Sequence, residues 1–475
     1  MTVRPYLVNG EWRTGDGTFE VKSPFDGSVV AELGVPTEGD VEEAAATAAS
    51  TFAESRHLPV HARADALDHI SRRLAETLDE NAELIAREGG KPLKWSRVEA
   101  TRAISTFRWA SEVIRHGEDE VMRLDTEASL GSRIGLLRRF PIGPVLGITP
   151  FNFPLNLVAH KVAPSLGVGA PIVVKPASAT PLGALRLAEL FAETDLPKGM
   201  YQVLPVSSKV ADGMARDERY RKISFTGSAE IGWYLKGIDP KKRVTLELGG
   251  NAGVIVHSDA DLDHAAARIA FGGYYQAGQS CISVQRVLVQ AEVFDDFAAR
   301  LVKEVENLKV GDPMDPTVDV GPVIQPQEVD RIDAWVQEAV SQGAEILTGG
   351  KADSPFYSPT LLSHVRPEMK VCREEVFGPV VTISPYETFE DALASVNDSK
   401  FGLQAGVFTN DINRAFQAHR TLEVGGVIIN DQSAFRADQM PYGGSKESGF
   451  GREGLRFAME EMTEQRIMVL SNVPL

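Results

Sequence analysis

At 475 residues the chain is long enough for roughly three domain-sized units of about 150 residues, each able to bury its own core, so a lone binding module is excluded. With 43% hydrophobic and 24% charged residues, and 42 Gly and 27 Pro spread along its length, the composition excludes disorder and collagen-like repeats. Lys and Arg number 49 against 66 Asp and Glu, a formal net charge of −17, and a molecule this acidic repels phosphate backbones unless its cations gather in one patch, so no nucleic-acid partner is expected.

The first twelve residues, MTVRPYLVNGEW, lack the apolar core of a signal peptide, and no run of about 18 apolar residues occurs anywhere, so neither a secretory leader nor a membrane span is expected. The two cysteines, Cys281 and Cys372, cannot make a disulfide framework, and their scarcity fits a reducing, cytoplasmic location. From Asp40 to Glu88 the pattern is helical: Asp40 is placed to cap a helix with Glu43 three residues on, and Leu67, Ile70, Leu74 and Leu78 follow at helical spacing. His57 and His61 stand four apart, but Pro59 between them disrupts the helix a metal-ligand pair needs, and no metal is expected. A second helical stretch runs from about Ser96 to Arg115, with Arg102 and Arg108 facing different directions.

The basic-apolar run RIGLLRRF at 133–140 has strand character, and the C-terminal EEMTEQRIMVL ends in a similar piece; paired, the two would form an arm. Between Pro144 and Gly250, β-rich runs (PVLGIT, PIVVKP, MYQVLP, KISFTG, VTLELGG) alternate with helical ones, the mark of a parallel, doubly wound sheet. Within it, Thr180 followed by Pro181 reads as a helix cap with proline in the first turn. A second series runs from AGVIV at 252–256 through VQRVLVQ, VVTISPY and AGVFT to GGVIIN at 426–430, so two α/β domains are indicated.

Residues able to carry chemistry fall at the ends of these runs. Cys281 in GQSCIS sits among small and polar residues, although free cysteines are as a rule packed and inert, and Cys372 shares that ambiguity. Glu247 precedes two glycines that allow close backbone approach, and Asn152 in ITPFNFP follows a strand at the crevice formed by strand carboxyl ends. Gly227 and Ser228 occupy a strand-to-helix junction, where backbone N–H groups favour phosphate, but the three-glycine dinucleotide fingerprint is missing.

In order and spacing, FNFP at 151–154, KPAS at 175–178, FTGS at 225–228, ELGG at 247–250, GQSC at 278–281, EEVFGP at 374–379 and PYGGSKESGFGREG at 441–454 resemble the aldehyde dehydrogenase superfamily across nearly the whole chain. The resemblance implies an α/β fold with a nucleotide-binding parallel-sheet domain (1–119 and 141–249), an α/β catalytic domain (250–449) and a β-strand oligomerisation arm (120–140 and 450–475). It implies NAD(P)-dependent oxidation of an aldehyde to its carboxylate. Cys281 would attack the carbonyl, Asn152 and the Cys281 N–H would steady the oxyanion, hydride would leave to the nicotinamide, and Glu247 would activate the water that hydrolyses the thioester.

The same resemblance assigns the cofactor to Thr149, Pro150, Lys175, Ser178, Gly227, Ser228, Glu375 and Phe377, with Lys175 on the adenosine ribose, Ser228 on the pyrophosphate and Glu375 with Phe377 on the nicotinamide side. Members that prefer NAD commonly carry Glu three residues after the lysine; Ser178 there removes a repulsion of the 2′-phosphate, so NADP or NAD is expected. Phe151, where many relatives have Trp, Arg102, Phe435 and Arg436 are substrate candidates, the arginines as partners for an anion on a small hydroxy-, phospho- or semialdehyde, against the alternative of ordinary salt bridges. The flavour of the motifs leans to lactaldehyde and non-phosphorylating glyceraldehyde-3-phosphate dehydrogenase-like members. A CoA-acylating semialdehyde dehydrogenase is the alternative enzyme, which ELGG argues against because such enzymes usually lack the base; a non-catalytic relative is the alternative outside enzymology. The expected partners are a small aldehyde and further copies of the chain, as homodimer or homotetramer.

Overall fold

The computed structural model describes residues 2–117 and 119–472. Two largely parallel sheets dominate it, the α/β class that the alternating runs indicate. In the first, parallel strands lie in the spatial order Tyr201–Val203, Ile172–Lys175, Val145–Ile148, Lys222–Thr226, Arg243–Glu247. Helices cover both faces, so strands such as Ile172–Lys175 are buried throughout and read as unbroken apolar runs rather than alternating ones. The winding reverses between Val145–Ile148 and Lys222–Thr226, and at such a reversal the loops after the two strands part to leave a crevice. Tyr6–Val8 and then Glu11–Arg13 extend one edge and Gly449–Phe450 the other, all antiparallel to their neighbours.

The second sheet holds parallel strands in the order Thr360–Ser363, Val380–Tyr386, Val284–Gln290, Ala252–Val256, Gln404–Phe408, Gly426–Ile429, with Glu345–Thr348 antiparallel outside the first of them. Arg133–Pro141 pairs along its whole length with Thr463–Ser471, and Glu120–Arg123 adds a third strand. Before the last strand, Phe450 pairs with Leu246, and the helix Leu455–Glu461 buries Leu455 and Met459 against the helices beside the first sheet.

Two helix starts differ from the sequence expectation. Asp40 is not the cap but the third residue of the helix Glu38–Ser55: Thr37 Oγ1 accepts from the Asp40 N–H at 3.1 Å and Asp40 accepts from the Thr37 N–H at 2.8 Å, a reciprocal box, while Glu43 pairs with Arg13. Thr180 does not cap the helix Leu182–Phe191 either, because its hydroxyl donates to the Phe151 carbonyl. That helix is capped from outside by Glu88, at the end of the helix Leu78–Gly89, whose carboxylate accepts from the N–H groups of Leu182 at 2.9 Å and Gly183 at 3.3 Å. Glu99, on the helix Leu93–Arg115, does the same for Leu155 and Asn156 at 3.0 and 3.1 Å. Both carboxylates are buried, and both fix helices that flank the crevice.

Candidate active site

A cavity of about 650 Å³ opens at the carboxyl ends of the first sheet and brings together most residues the motifs single out: Thr149, Pro150, Phe151, Asn152, Lys175, Ser178, Gly227, Ser228, Glu247, Cys281, Glu375 and Phe377 all line it. Each arrives by a different backbone device. Asn152 follows the strand Val145–Ile148 and precedes the helix that Glu99 caps; its Nδ2 donates to the Gln279 carbonyl at 3.0 Å, and its buried Oδ1 has no partner. Glu247 is the last residue of Arg243–Glu247, and among the described residues neither of its buried oxygens has a partner.

Cys281 hangs from a loop in which Gln276, Ala277 and Gly278 are successively left-handed, with φ of 54°, 53° and 68°. Two non-glycine residues in that region store about 1–3 kcal/mol each, a strain held by packing. Gly278 is required there, since a Cβ would stand 2.1 Å from the Gly378 carbonyl oxygen. Gln276 Nε2 also donates to the Asn152 carbonyl, tying the cysteine loop to the asparagine turn. The two glycines after Glu247 serve close approach as their spacing suggests: a Cβ on Gly250 would lie 2.5 Å from the Cys281 carbonyl oxygen, and one on Gly249 would lie 2.3 Å from Glu375 Oε2.

Burial sets the electrostatics. It pushes the half-buried Cys281 thiol up to about 12, opposed by a contact with the Tyr442 hydroxyl at 3.1 Å. Glu247 is raised well above the ordinary carboxylate range, first by burial and then by the negative charge of Glu453. Glu453, buried as deeply, is pulled down to about 2 because Lys161 Nζ lies at 2.9 Å and Arg436 Nη2 at 3.1 Å. Two neighbouring carboxyls with opposed environments are thus held apart, one ionised and one readily protonated.

The opposite end of the cavity suits a dinucleotide. Gly227 and Ser228 stand at the start of the helix Ala229–Ile238, whose free N–H groups and dipole attract phosphate. Burial lowers the Lys175 ammonium, and Thr149 Oγ1 is buried in the cavity wall with no partner of its own, a hydroxyl left for a ligand. Ser178 places no negative charge at the wall. Phe377, held at φ 48°, packs edge-on against Phe151 with ring centroids 5.8 Å apart, and Glu375 accepts from the Gly250 N–H at 2.9 Å while burial raises it to about 7. Among the described residues no group of three or more His, Cys, Asp and Glu could hold a metal, and no helix is long and apolar enough to cross a membrane.

Of the four substrate candidates, only Phe151 is part of the cavity wall. Arg436 is buried one layer behind it: its guanidinium lies 3.8 Å from the Tyr442 ring centroid, and its Nε has no partner. Arg102 pairs with Asp438 at 2.8 Å, and Asp438 also accepts from His160 at 3.1 Å. Phe435 is exposed, its carbonyl accepting from Gln404. Arg108 is exposed, and Cys372 packs in the core of the second sheet.

Several supporting residues escape the sequence reading: Glu88, Glu99, Lys161, Asp438, Tyr442 and Glu453. A usable signal existed for two of them. Lys161 interrupts the apolar helix Asn156–Val168, and Glu99 sits on the face shared by Ala103 and Phe107, so each is a charge where only a paired one is tolerated.

The chain matches the aldehyde dehydrogenase family over residues 12–468. It is 43% identical over 465 residues to the 3-sulfolactaldehyde dehydrogenase of Priestia megaterium, covering 98% of this chain and 97% of that protein. Among solved structures, aldehyde dehydrogenase 21 of Physcomitrella patens, in complex with the reaction product succinate, is similar with a TM-score of 0.97 and 40% identity, covering 100% of this chain and 99% of that one. The glyceraldehyde-3-phosphate dehydrogenase of Methanocaldococcus jannaschii, complexed with NADP, gives a TM-score of 0.92 and 37% identity over 96% of this chain and 99% of that one. The chain belongs to the aldehyde dehydrogenase family. It is an NAD(P)-dependent oxidoreductase that acts on aldehydes.

Proposed function

We propose that the protein oxidises a small anionic aldehyde to its carboxylate through a covalent adduct on Cys281. The observation that carries the chemistry is the convergence on one cavity of Cys281, Asn152 and a Glu247 whose two oxygens are both free. Cys281 gives up its proton to Glu247 or to water and its sulfur bonds to the carbonyl carbon, so negative charge develops on the oxygen. The Asn152 amide and the Cys281 N–H donate to that oxygen, and a fixed donor in a dry site is worth about 10²–10³ in rate. The bound dinucleotide, held by Lys175, Ser178, Ser228 and Glu375, supplies the acceptor for the hydride that leaves carbon. Glu247, ionised again once any proton it took from Cys281 has passed to solvent, then takes a proton from water as the water attacks the thioester and returns it to the departing sulfur, releasing the product acid, which ionises to the carboxylate, and the Cys281 thiol. Ser178 leaves room for a 2′-phosphate, so NADP is accepted along with NAD.

The anionic class draws on the positive charge of Arg102 and Arg436, which lie behind the cavity wall and pair with Asp438 and Glu453. It is supported by the sulfonate, carboxylate and phosphate named for the substrates or product of the three relatives. The family activity is carried out, in this reading, by a cytoplasmic homodimer or homotetramer. The units are 1–119 and 141–249 for the dinucleotide, 250–449 for catalysis and 120–140 with 450–475 for assembly. The test is NADPH and NADH formation from 3-sulfolactaldehyde, succinic semialdehyde, glyceraldehyde-3-phosphate, lactaldehyde and simple alkanals, with wild type beside Arg436→Ala. An anionic aldehyde should lead in kcat/KM, and the mutant, which loses a positive charge behind the wall, should lose part of that lead over neutral aldehydes. If neutral aldehydes lead and the mutant leaves the ranking unchanged, the anionic reading fails.

A further inference from the structure

Tyr442 stands in the run PYGGSKESGFGREG, to which the sequence assigns it no role, yet of the described residues it is the one whose side chain hydrogen-bonds to the Cys281 sulfur. Its hydroxyl lies 3.1 Å from Sγ, and the residue is only 3% exposed. Its position is over-determined. Tyr442 and Glu453 exchange backbone hydrogen bonds of 3.0 and 2.7 Å, and the Glu453 carboxylate holds Arg436, whose guanidinium covers the Tyr442 ring at 3.8 Å. In the resting thiol either atom can donate. Once the thiol has lost its proton, only the phenol has a hydrogen to give.

We propose that Tyr442 is a further catalytic residue: its hydroxyl donates a hydrogen bond to the Cys281 thiolate, holding the sulfur in place and stabilising its charged form, and Arg436 over the ring strengthens that donor. The inference rests on Cys281 being the nucleophile. A cation on the face of a phenol withdraws electron density from the ring and so from the oxygen, making O–H a better donor. An ion–dipole contact of this kind matters here because burial otherwise drives the thiol towards its neutral form. Arg436 adds its positive charge without touching the sulfur, and its link to Glu453 keeps it on the ring. When sulfur bonds to the carbonyl carbon its charge moves to oxygen, and the phenol loses its acceptor. The interaction therefore favours the reactive form before attack and is surrendered during it.

The experiment compares wild type, Tyr442→Phe and an enzyme carrying a fluorinated tyrosine at position 442, all without added dinucleotide or aldehyde. Thiolate is followed by its absorbance near 240 nm against a Cys281→Ala baseline, and alkylation by iodoacetamide is localised by peptide mass. Losing a hydrogen bond to the charged form should move the thiolate midpoint of Tyr442→Phe upward by about one pH unit. Below that midpoint thiolate falls about tenfold while its intrinsic reactivity rises about threefold, so alkylation should slow about threefold. The fluorinated side chain, a stronger donor of the same size, should move the midpoint down. A steric role would act in the opposite sense, because removing the hydroxyl opens space beside the sulfur and speeds alkylation. An unchanged or lowered midpoint in Tyr442→Phe overturns the proposal. Failure of wild type to be alkylated at Cys281 overturns the nucleophile assignment instead, and with it the inference.

Discussion

Glu247 and Glu453 feel one set of cations, Lys161 and Arg436, yet only Glu453 makes direct contacts with them. The ionised Glu453 therefore raises Glu247, whose base form appears only as pH climbs through that raised value. Replacing Glu453 by Gln removes the negative neighbour and leaves Lys161 and Arg436 positive, so Glu247 should lose its proton more easily. The acid limb of thioester hydrolysis in Glu453→Gln should move to lower pH. Stripping two buried cations of their acceptor costs about 3–5 kcal/mol, so the profile has to be taken well below the lowered Tm. A limb that stays in place, or moves to higher pH, would show that Glu453 does not control Glu247. At this scale the sequence is legible where glycine spacing marks it: Glu247 and Cys281 stand beside glycines that cannot be replaced sterically. Tyr442 and Glu453 lie in the run PYGGSKESGFGREG, but their roles were illegible because their partners are remote, 161 residues from Cys281 to Tyr442 and 292 from Lys161 to Glu453.

The strands could be read from composition because burial on both faces leaves no room for polar residues, as in Ile172–Lys175 and Val145–Ile148. Helix starts could not, because the cap that matters can come from another element. Glu88 serves residues 94 and 95 positions later, and nothing local to Thr180–Pro181 announces it. This cap carries a pH signature. Burial raises the Glu88 carboxyl to about 8 in the folded protein, against 4.5 for the ordinary value, the two N–H donors offsetting only part of the effect. Between those values the native state holds a proton that the unfolded chain has released, so this group's contribution is complete at low pH and is lost as pH rises through about 8. A neutral amide in the same place has no such dependence. Glu88→Gln should match wild type in Tm near pH 5 and gain on it steadily towards pH 8. A difference that is constant with pH would mean that Glu88 enters and leaves folding with the same charge.

For the whole molecule the informative surface is the arm. Along Thr463–Ser471 successive side chains point to opposite faces, and Ile467, Met468, Val469 and Leu470 are all between 38% and 53% exposed, so both faces of the strand are bare. One backbone edge is satisfied by Arg133–Pro141, and among the described residues no strand pairs with the other. A nine-residue strand with an open edge and apolar residues on both sides is a surface that soluble proteins normally cover or blunt. The second sheet ends in another open parallel strand, Gly426–Ile429, with Ile429 exposed. A second copy of the chain fits this need: each arm can lie against its partner's sheet, and a two-fold arrangement uses both surfaces twice. The double substitution Ile467→Glu, Val469→Glu puts charge on one face of the strand without touching the cavity. Light scattering after size exclusion should find wild type as a dimer or tetramer and the double mutant shifted to monomer at micromolar concentration. The mutant's Tm should fall with dilution more steeply than that of wild type, because mass action then separates the copies. A wild type that elutes as a monomer, or a double mutant that keeps its assembly, would remove the arm from the interface.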